Sequence, residues 1–256
     1  MSLIKVVKSL GGKKNYGVEF SNDANKYTIA RILDAKSNDL VGFANMQDGS
    51  QKTEIGIDKD KYDVEPMFPI SDDGLGIIIS GEQGSGKSTM GAMFVMQYEK
   101  MYPKRNLFLV SQKSKSIDRN LSNIKNLHQL SDDEINNFNL EGYKNSLFLI
   151  DDSDFGKNVK SVMELFNLVS SVGREYDISW IFITHFNSRL NVSKAYSEFK
   201  VFITFHNNLN NNRMLMCHMG MNRTKIERLV NMKSSYYMFN RMYDVLITDK
   251  VVEKYK

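Results

Sequence analysis

The chain has 256 residues, 41% of them hydrophobic and 25% charged, which argues against disorder and leaves room for one large α/β domain or one domain with a small appendage. A net charge of +4 permits a nucleic-acid partner without demanding one. Cys217 is the single cysteine, which excludes a disulfide framework and a cysteine-based zinc site and fits a reducing compartment. Lys5 and Lys8 interrupt the early apolar segment where a signal peptide would lie, and no apolar run approaches the ~20 residues of a membrane span, so the expectation is a soluble intracellular protein with no membrane partner.

Residues 1–65 carry short, partly alternating runs: Ile4–Val7, Tyr16–Phe20, Tyr27–Leu33, Leu40–Phe43 and Glu54–Ile57. Turn signals at Gly11-Gly12, Asn22-Asp23, Ser37-Asn38-Asp39 and Asp48-Gly49-Ser50 separate them. This pattern predicts a small antiparallel β-rich module. Pro66 and Pro69 then mark a junction, and a second domain is expected over 66–256.

Leu75-Gly76-Ile77-Ile78-Ile79-Ser80 reads as a buried parallel strand. It feeds Gly81-Glu82-Gln83-Gly84-Ser85-Gly86-Lys87-Ser88-Thr89, which satisfies the phosphate-loop pattern G-x-x-x-x-G-K-[ST]; a helix with Met93, Met96 and Met101 follows. Glycines at 81, 84 and 86 let the backbone curl round a phosphate chain with its amides pointing inward. The helix N-terminus adds its positive dipole end. Lys87 supplies charge to the β- and γ-phosphates of ATP, and the Ser88 hydroxyl can hold Mg²⁺. The candidate nucleotide contacts are therefore Gly81, Gln83, Gly84, Ser85, Gly86, Lys87, Ser88 and Thr89.

Asn106–Ser111 is the next strand, followed by a basic, polar loop with Lys113, Lys115 and Arg119 at its carboxyl end, where either a nucleic-acid contact or a plain solvated loop fits. Ser131-Asp132-Asp133-Glu134 is a capping box that opens a short helix. Asn145–Ile150 is a hydrophobic strand finishing in Asp151-Asp152, the Walker B arrangement. Asp151 is the expected Mg²⁺ ligand, direct or through water. Asp152 is the expected group that orients or deprotonates the attacking water.

Val159, Val162, Met163, Phe166, Val169 and Val172 recur at helical spacing. Ile178–Thr184 is then a strand closed by His185, either a γ-phosphate sensor beside the phosphate loop or a surface or capping histidine. Val201–Phe205 makes a further strand, followed by an asparagine-rich loop ending in Arg213, for which a plain turn is a sufficient reading. A short basic helix over Asn222–Val230 and a terminal β-hairpin from Tyr236–Phe239 and Tyr243–Ile247 complete the chain.

No guanine-reading Asn-Lys-x-Asp element follows the phosphate loop, and no Leu-Ser-Gly-Gly-Gln stretch of a transporter ATPase is present. The paired acids favour ATP hydrolysis over transfer to a small acceptor. Ser80–Ser88, the strand ending Leu149-Ile150-Asp151-Asp152, and Gly173-Arg174-Glu175-Tyr176 ahead of Ile181–His185 resemble the FtsK–HerA superfamily over roughly residues 70–205. Within it, the likeness is to genome-packaging ATPases of large DNA viruses and virophages.

That resemblance implies a RecA-like, additional-strand ATPase core with a mainly parallel sheet. It also implies ATP and Mg²⁺ as cofactors, and translocation of double-stranded DNA by a homo-oligomeric ring, hexameric or pentameric. A viral capsid vertex is the implied docking partner, and host cytoplasm, viral factory or virion the implied location. Arg174 is implied to be an arginine finger acting on a neighbour's ATP; the alternative is a surface arginine at a helix C-terminus. His185 stands where the family usually has glutamine, and Asp152 where cellular members usually have glutamate. Two other readings are a nucleotide kinase-like enzyme, for which no cluster of lid arginines is visible, and a non-catalytic nucleotide-binding assembly protein, which intact Lys87, Ser88, Asp151 and Asp152 disfavour.

Overall fold

A computed structural model describes residues 4–9, 15–20, 28–34, 40–45, 54–56, 62–64, 74–111, 121, 124, 126–151, 158–185, 198–209, 212–242 and 244–255. The chain divides into two compact units, Met1–Ile70 with Met214–Lys256, and Ser71–Arg213.

In the first unit, β1 (Ile4–Ser9), β2 (Asn15–Phe20), β3 (Thr28–Asp34), β4 (Leu40–Asn45) and β6 (Tyr62–Val64) pair antiparallel in the order β4-β3-β2-β1-β6. The turn clusters of the sequence fall between these strands. β6 is too short for its alternation to register in the sequence. β5 (Glu54–Gly56) pairs instead with a strand from the other end of the chain.

The second unit carries β7 (Gly76–Ser80), α1 (Lys87–Met101), β8 (Asn106–Ser111), β9 (Leu127–Gln129), α2 (Asp132–Asn136), β10 (Ser146–Asp151), α3 (Val159–Val172), β11 (Ile178–Thr184) and β12 (Val201–Phe205). Its strands run parallel in the order β12-β7-β11-β10-β8-β9. β11 lies between the phosphate-loop strand β7 and the acid-bearing strand β10, which is the additional-strand arrangement expected of this α/β class. Every residue of β7, β10, β11 and β12 is buried. This is why they read as continuous apolar runs rather than alternating ones: a parallel sheet is covered on both faces.

The side chains of β11 alternate between those faces. Phe182 and Trp180 meet α3, where Phe166 stacks on Phe182 at 4.2 Å between centroids and meets Trp180 edge-on at 5.2 Å. Ile183 turns the other way, toward Gly91 of α1. A Cβ built on Gly91 falls 2.7 Å from Ile183 Cδ1 and 3.3 Å from Leu149 Cδ1, so the missing side chain lets α1 sit close on the sheet. The far end of α1 is tied down by Tyr98, whose hydroxyl donates to the Ser146 carbonyl at 3.3 Å and accepts from Arg105 Nη1 at 3.2 Å. Burial raises the Tyr98 pKa, and the Arg105 hydrogen bond opposes that shift in part.

The capping box opens α2 as expected: Ser131 N and Oγ donate to Glu134 Oε2, each at 2.8 Å, and Glu134 N donates back to Ser131 Oγ at 3.3 Å.

The C-terminal segment holds α4 (Arg213–His218), α5 (Arg223–Met232), β13 (Tyr236–Asn240), β14 (Val245–Thr248) and β15 (Val251–Lys254). Where a two-stranded hairpin was expected, three strands run antiparallel in sequence. The extra turn is made by Thr248, whose Oγ1 accepts from Lys250 N at 3.0 Å and Val251 N at 2.9 Å. β15 then pairs antiparallel with β5, which is why 214–256 groups with the N-terminal strands. Among the described residues no helix is long and apolar enough to cross a membrane.

Candidate active site

The carboxyl ends of β7, β10, β11 and β12 stop nearly level, because Thr184 of β11 and Thr204 of β12 both pair with Ser80 of β7 and Ile150 of β10 pairs with Phe182 of β11. In an open parallel sheet this edge is where ligands gather. The loop Gly81–Gly86 leaves β7 there and turns straight into α1.

Two glycines in the loop have left-handed backbone, Gly84 at φ 78° and Gly86 at φ 96°. Gly86 is the N-cap of α1, so no side chain caps the first-turn amides, and no acidic residue lies in that turn. A Cβ on Gly84 would meet nothing within 4 Å, so its constraint is backbone geometry alone. Gly81 is constrained by space: a Cβ there would fall 2.4 Å from Ser85 Oγ and 2.8 Å from Phe205 Cδ2. Gly81 N donates to the Thr184 carbonyl at 3.3 Å, which ties the loop to the tip of β11. A helix start with no side-chain cap, positive backbone angles and a positive dipole end together make an anion cradle.

Lys87 is buried at 6% exposure and its Nζ donates to the Glu82 carbonyl at 2.7 Å, closing the loop onto itself. It also donates to His185 Nδ1 at 3.4 Å. An ammonium only donates, so this contact places the ring proton of a neutral His185 on Nε2. Ser88 Oγ donates to Asp151 Oδ2 at 3.3 Å, and Asp151 is itself 8% exposed. A hydroxyl and a carboxylate oxygen converging beside an anion cradle are hard oxygen donors, the set that suits Mg²⁺ with a phosphate. The residues present thus fit both ATP and Mg²⁺.

Of the expected site residues, the structure brings Gly81, Gly84, Ser85, Gly86, Lys87, Ser88, Asp151 and His185 together at this edge. Gln83 and Thr89 are exposed, on the loop and in the first turn of α1. Arg174 is elsewhere. It is exposed in a 3-10 turn, Gly173–Tyr176, that precedes β11, so it lies at the amino edge of the sheet. The seven residues of β11 separate the two edges by roughly 20 Å. The turn is fixed by Asp177 N donating to Arg174 O at 3.2 Å and by Gly74, where a Cβ would stand 3.2 Å from the Arg174 Cα. Arg213 is exposed at the start of α4. Asp152, Lys113, Lys115 and Arg119 lie outside the described residues.

Phe205 was not singled out by the sequence. It ends β12 as an ordinary strand aromatic, and nothing in a one-dimensional pattern says that β12 lies directly beside β7. In the structure its ring lies against Gly81, and a Cβ on Gly86 would stand 3.8 Å from it, so Phe205 supports the phosphate loop from the β12 side.

No protein-family model matches the chain. In sequence it is 24% identical over 233 residues to "Uncharacterized protein V3" of Sputnik virophage, covering 86% of this chain and 91% of that protein. In structure it is similar to the genome packaging NTPase B204 from Sulfolobus turreted icosahedral virus 2 in complex with ATP-gammaS, with a TM-score of 0.48 and 14% identity over 70% of this chain and 98% of that one. It is also similar to the pCW3 conjugation coupling protein TcpA with ATPgS, with a TM-score of 0.45 and 11% identity over 86% of this chain and 74% of that one.

Proposed function

We propose that this chain is an ATPase that hydrolyses Mg·ATP at the 81–88 loop and couples turnover to movement of double-stranded DNA, packaging a viral genome into a capsid. The observation that carries the hydrolytic part is the convergence of Lys87, Ser88, Asp151 and His185 at one end of the phosphate loop. Lys87 neutralises the β- and γ-phosphates, Ser88 and Asp151 hold Mg²⁺, and His185 senses the γ-phosphate from between them. Mg²⁺ supplies Lewis-acid stabilisation of the charge that develops on the transferred phosphoryl oxygens. Asp152, next in the chain after Asp151, orients or deprotonates the attacking water.

The DNA substrate and the ring follow from the sequence resemblance, with Arg174 as the link to the structure. At the sheet edge opposite its own phosphate loop, Arg174 has no route to the ATP of its own chain but is open to that of a neighbour. A homo-oligomeric ring, hexameric or pentameric, supplies that neighbour, and Lys113, Lys115, Arg119 and Arg213 are the DNA contacts this reading nominates. The test is phosphate release from ATP and Mg²⁺ with and without long double-stranded DNA. This reading predicts turnover that rises on adding DNA and disappears in Lys87→Ala. Turnover that ignores DNA would favour an enzyme acting on a small molecule instead.

A further inference from the structure

The amino edge of the parallel sheet carries cations of two kinds. Asn106 of β8, Ser146 of β10 and Ile178 of β11 lie in one register, so Arg105, Lys144 and Arg174, shortly ahead of those strands, share that edge. Arg105 is engaged: its Nη1 donates to the buried Tyr98 hydroxyl at 3.2 Å, and its guanidinium lies 4.5 Å from the centroid of the Tyr102 ring. Lys144 is engaged too, with Glu141 at 2.6 Å and the Tyr176 ring centroid at 5.4 Å. Arg174 differs. Its side chain is exposed and makes no hydrogen bond or ion pair among the described residues.

The backbone that carries this unengaged cation is held from three directions. α3 runs into the turn Gly173–Tyr176, with Gly173 N donating to the Val169 carbonyl. From the β10 side, Asn145 N donates to the Tyr176 carbonyl at 3.0 Å. From the β7 side, Gly74 lies flush against the turn: a Cβ built there would fall 2.4 Å from the Ile178 carbonyl oxygen and 3.2 Å from the Arg174 Cα. Asp177 N closes the turn onto the Arg174 carbonyl at 3.2 Å. Asn145 and Asp177 both have left-handed backbone, φ 55° and 54°, so two of the four described non-glycine residues of that kind flank this one turn. Sparsely populated backbone angles persist where the surroundings over-determine them, and they gather at functional sites.

Resting on the reading of Arg174 as the residue that reaches a neighbour's ATP, we infer that Gly74 and Asn145 are positioning residues for it. Gly74, by lacking a side chain, and Asn145, by its left-handed backbone, set where the turn stands and so where the guanidinium is delivered to the γ-phosphate of the adjacent copy. A misplacement of about 1 Å can cost roughly a hundredfold in rate, so turnover depends on the clamp as well as on the arginine. The same two anchors lead into β7 and β10, which end at the phosphate loop and at Asp151. The arginine offered to the neighbour is therefore registered on the strands that set the chain's own site.

The test uses the full chain with Mg·ATP and long double-stranded DNA. Wild type, Gly74→Ala, Arg174→Ala and the double variant are compared for ATP affinity by calorimetry and for steady-state kcat. The Cβ added at Gly74 meets a backbone carbonyl, which cannot swing aside as a side chain would, so the turn must move. Gly74→Ala should bind ATP as wild type does while kcat falls by about 10- to 100-fold. The double variant should be no slower than Arg174→Ala alone, because moving an arginine that is already absent changes nothing; a purely structural glycine would give losses that multiply. Asn145→Val forces a β-branched residue into left-handed backbone and should repeat this pattern, with Asn145→Gly recovering turnover relative to it. That pair decides the question if Gly74→Ala does not fold. A folded Gly74→Ala that keeps wild-type turnover, weakens ATP binding, or adds its loss to that of Arg174→Ala would overturn the positioning role while Arg174 stands. If Arg174→Ala itself turns over ATP as wild type does, the trans-acting arginine falls and this inference falls with it.

Discussion

Ser88 Oγ and Asp151 Oδ2 meet at 3.3 Å, joining the first turn of α1 to the tip of β10 across the strand that separates them. Neither residue is close to the other in sequence, and only the parallel register of β7, β11 and β10 brings them level. If these two oxygens are the Mg²⁺ ligands, Asp151→Asn removes the charged one while keeping the shape of the site. Several kcal/mol of metal-derived stabilisation correspond to a loss of about a hundredfold or more in turnover. The check is steady-state phosphate release across a Mg²⁺ titration; the variant should need far more Mg²⁺ and still not recover the wild-type rate.

Arg174 should separate binding from turnover. It is exposed at the amino edge of the sheet, so Arg174→Ala leaves the phosphate loop of its own chain intact. ATP affinity by calorimetry should match wild type, while turnover falls by ~10³-fold, the scale of a missing arginine finger. A variant that hydrolyses ATP normally would make Arg174 a surface arginine.

Gly76 and Trp180 face each other across β7 and β11, and a Cβ on Gly76 would fall 2.3 Å from Trp180 Cζ2. A ring wedged between α3 and the sheet cannot yield cheaply, so Gly76→Ala should cost ~1–3 kcal/mol of stability. Trp180 is the single tryptophan, so its fluorescence reports the site directly. The variant should show a shifted emission maximum and a lowered midpoint in denaturant. Pairing it with Trp180→Leu should remove the penalty of the added methyl.

Glu134 has its pKa lowered to about 2 by the backbone N–H of Ser131 first, then by the Ser131 hydroxyl and the His128 ring. A carboxyl whose folded pKa lies below its unfolded value stabilises the fold above the unfolded pKa, near 4.5 here, and loses that contribution as pH falls toward about 2. An NMR titration should find Glu134 ionised well below the ordinary carboxylate range. In Ser131→Ala its pKa should rise only part of the way toward 4.5, because the backbone N–H at position 131 and the His128 ring remain. Removing the N-cap should also destabilise α2 by ~1 kcal/mol.

Much of the P-loop unit was legible because buried parallel strands and a glycine loop leave strong local signals. β7, β8, β10, β11 and β12 each stand out as an apolar run, and the Gly81–Ser88 pattern names its own chemistry. What escaped depends on neighbours distant in sequence or on very short segments. β9 and β6 have three residues each, too few for a period to show. The third C-terminal strand hides behind a turn made by the Thr248 side chain rather than by glycine or proline. Phe205 became part of the site only when β12 proved to lie beside β7, and Gly91 and Gly76 became packing positions only when Ile183 and Trp180 stood over them. The basic look of α5 also misleads: Arg223 pairs with Glu227, Arg228 with Glu253, and Lys225 donates to the Tyr255 carbonyl, so its cations serve the fold.

Turnover of ATP by several copies acting together on DNA, as proposed above, can be tested in a mixture of active and dead subunits. The most direct measurement is ATP hydrolysis on long double-stranded DNA as Lys87→Ala is titrated into wild-type protein at constant total concentration. In a ring, DNA-stimulated turnover should fall more steeply than the wild-type fraction, because a dead subunit stalls its neighbours. Turnover indifferent to DNA and simply proportional to the wild-type fraction would contradict it.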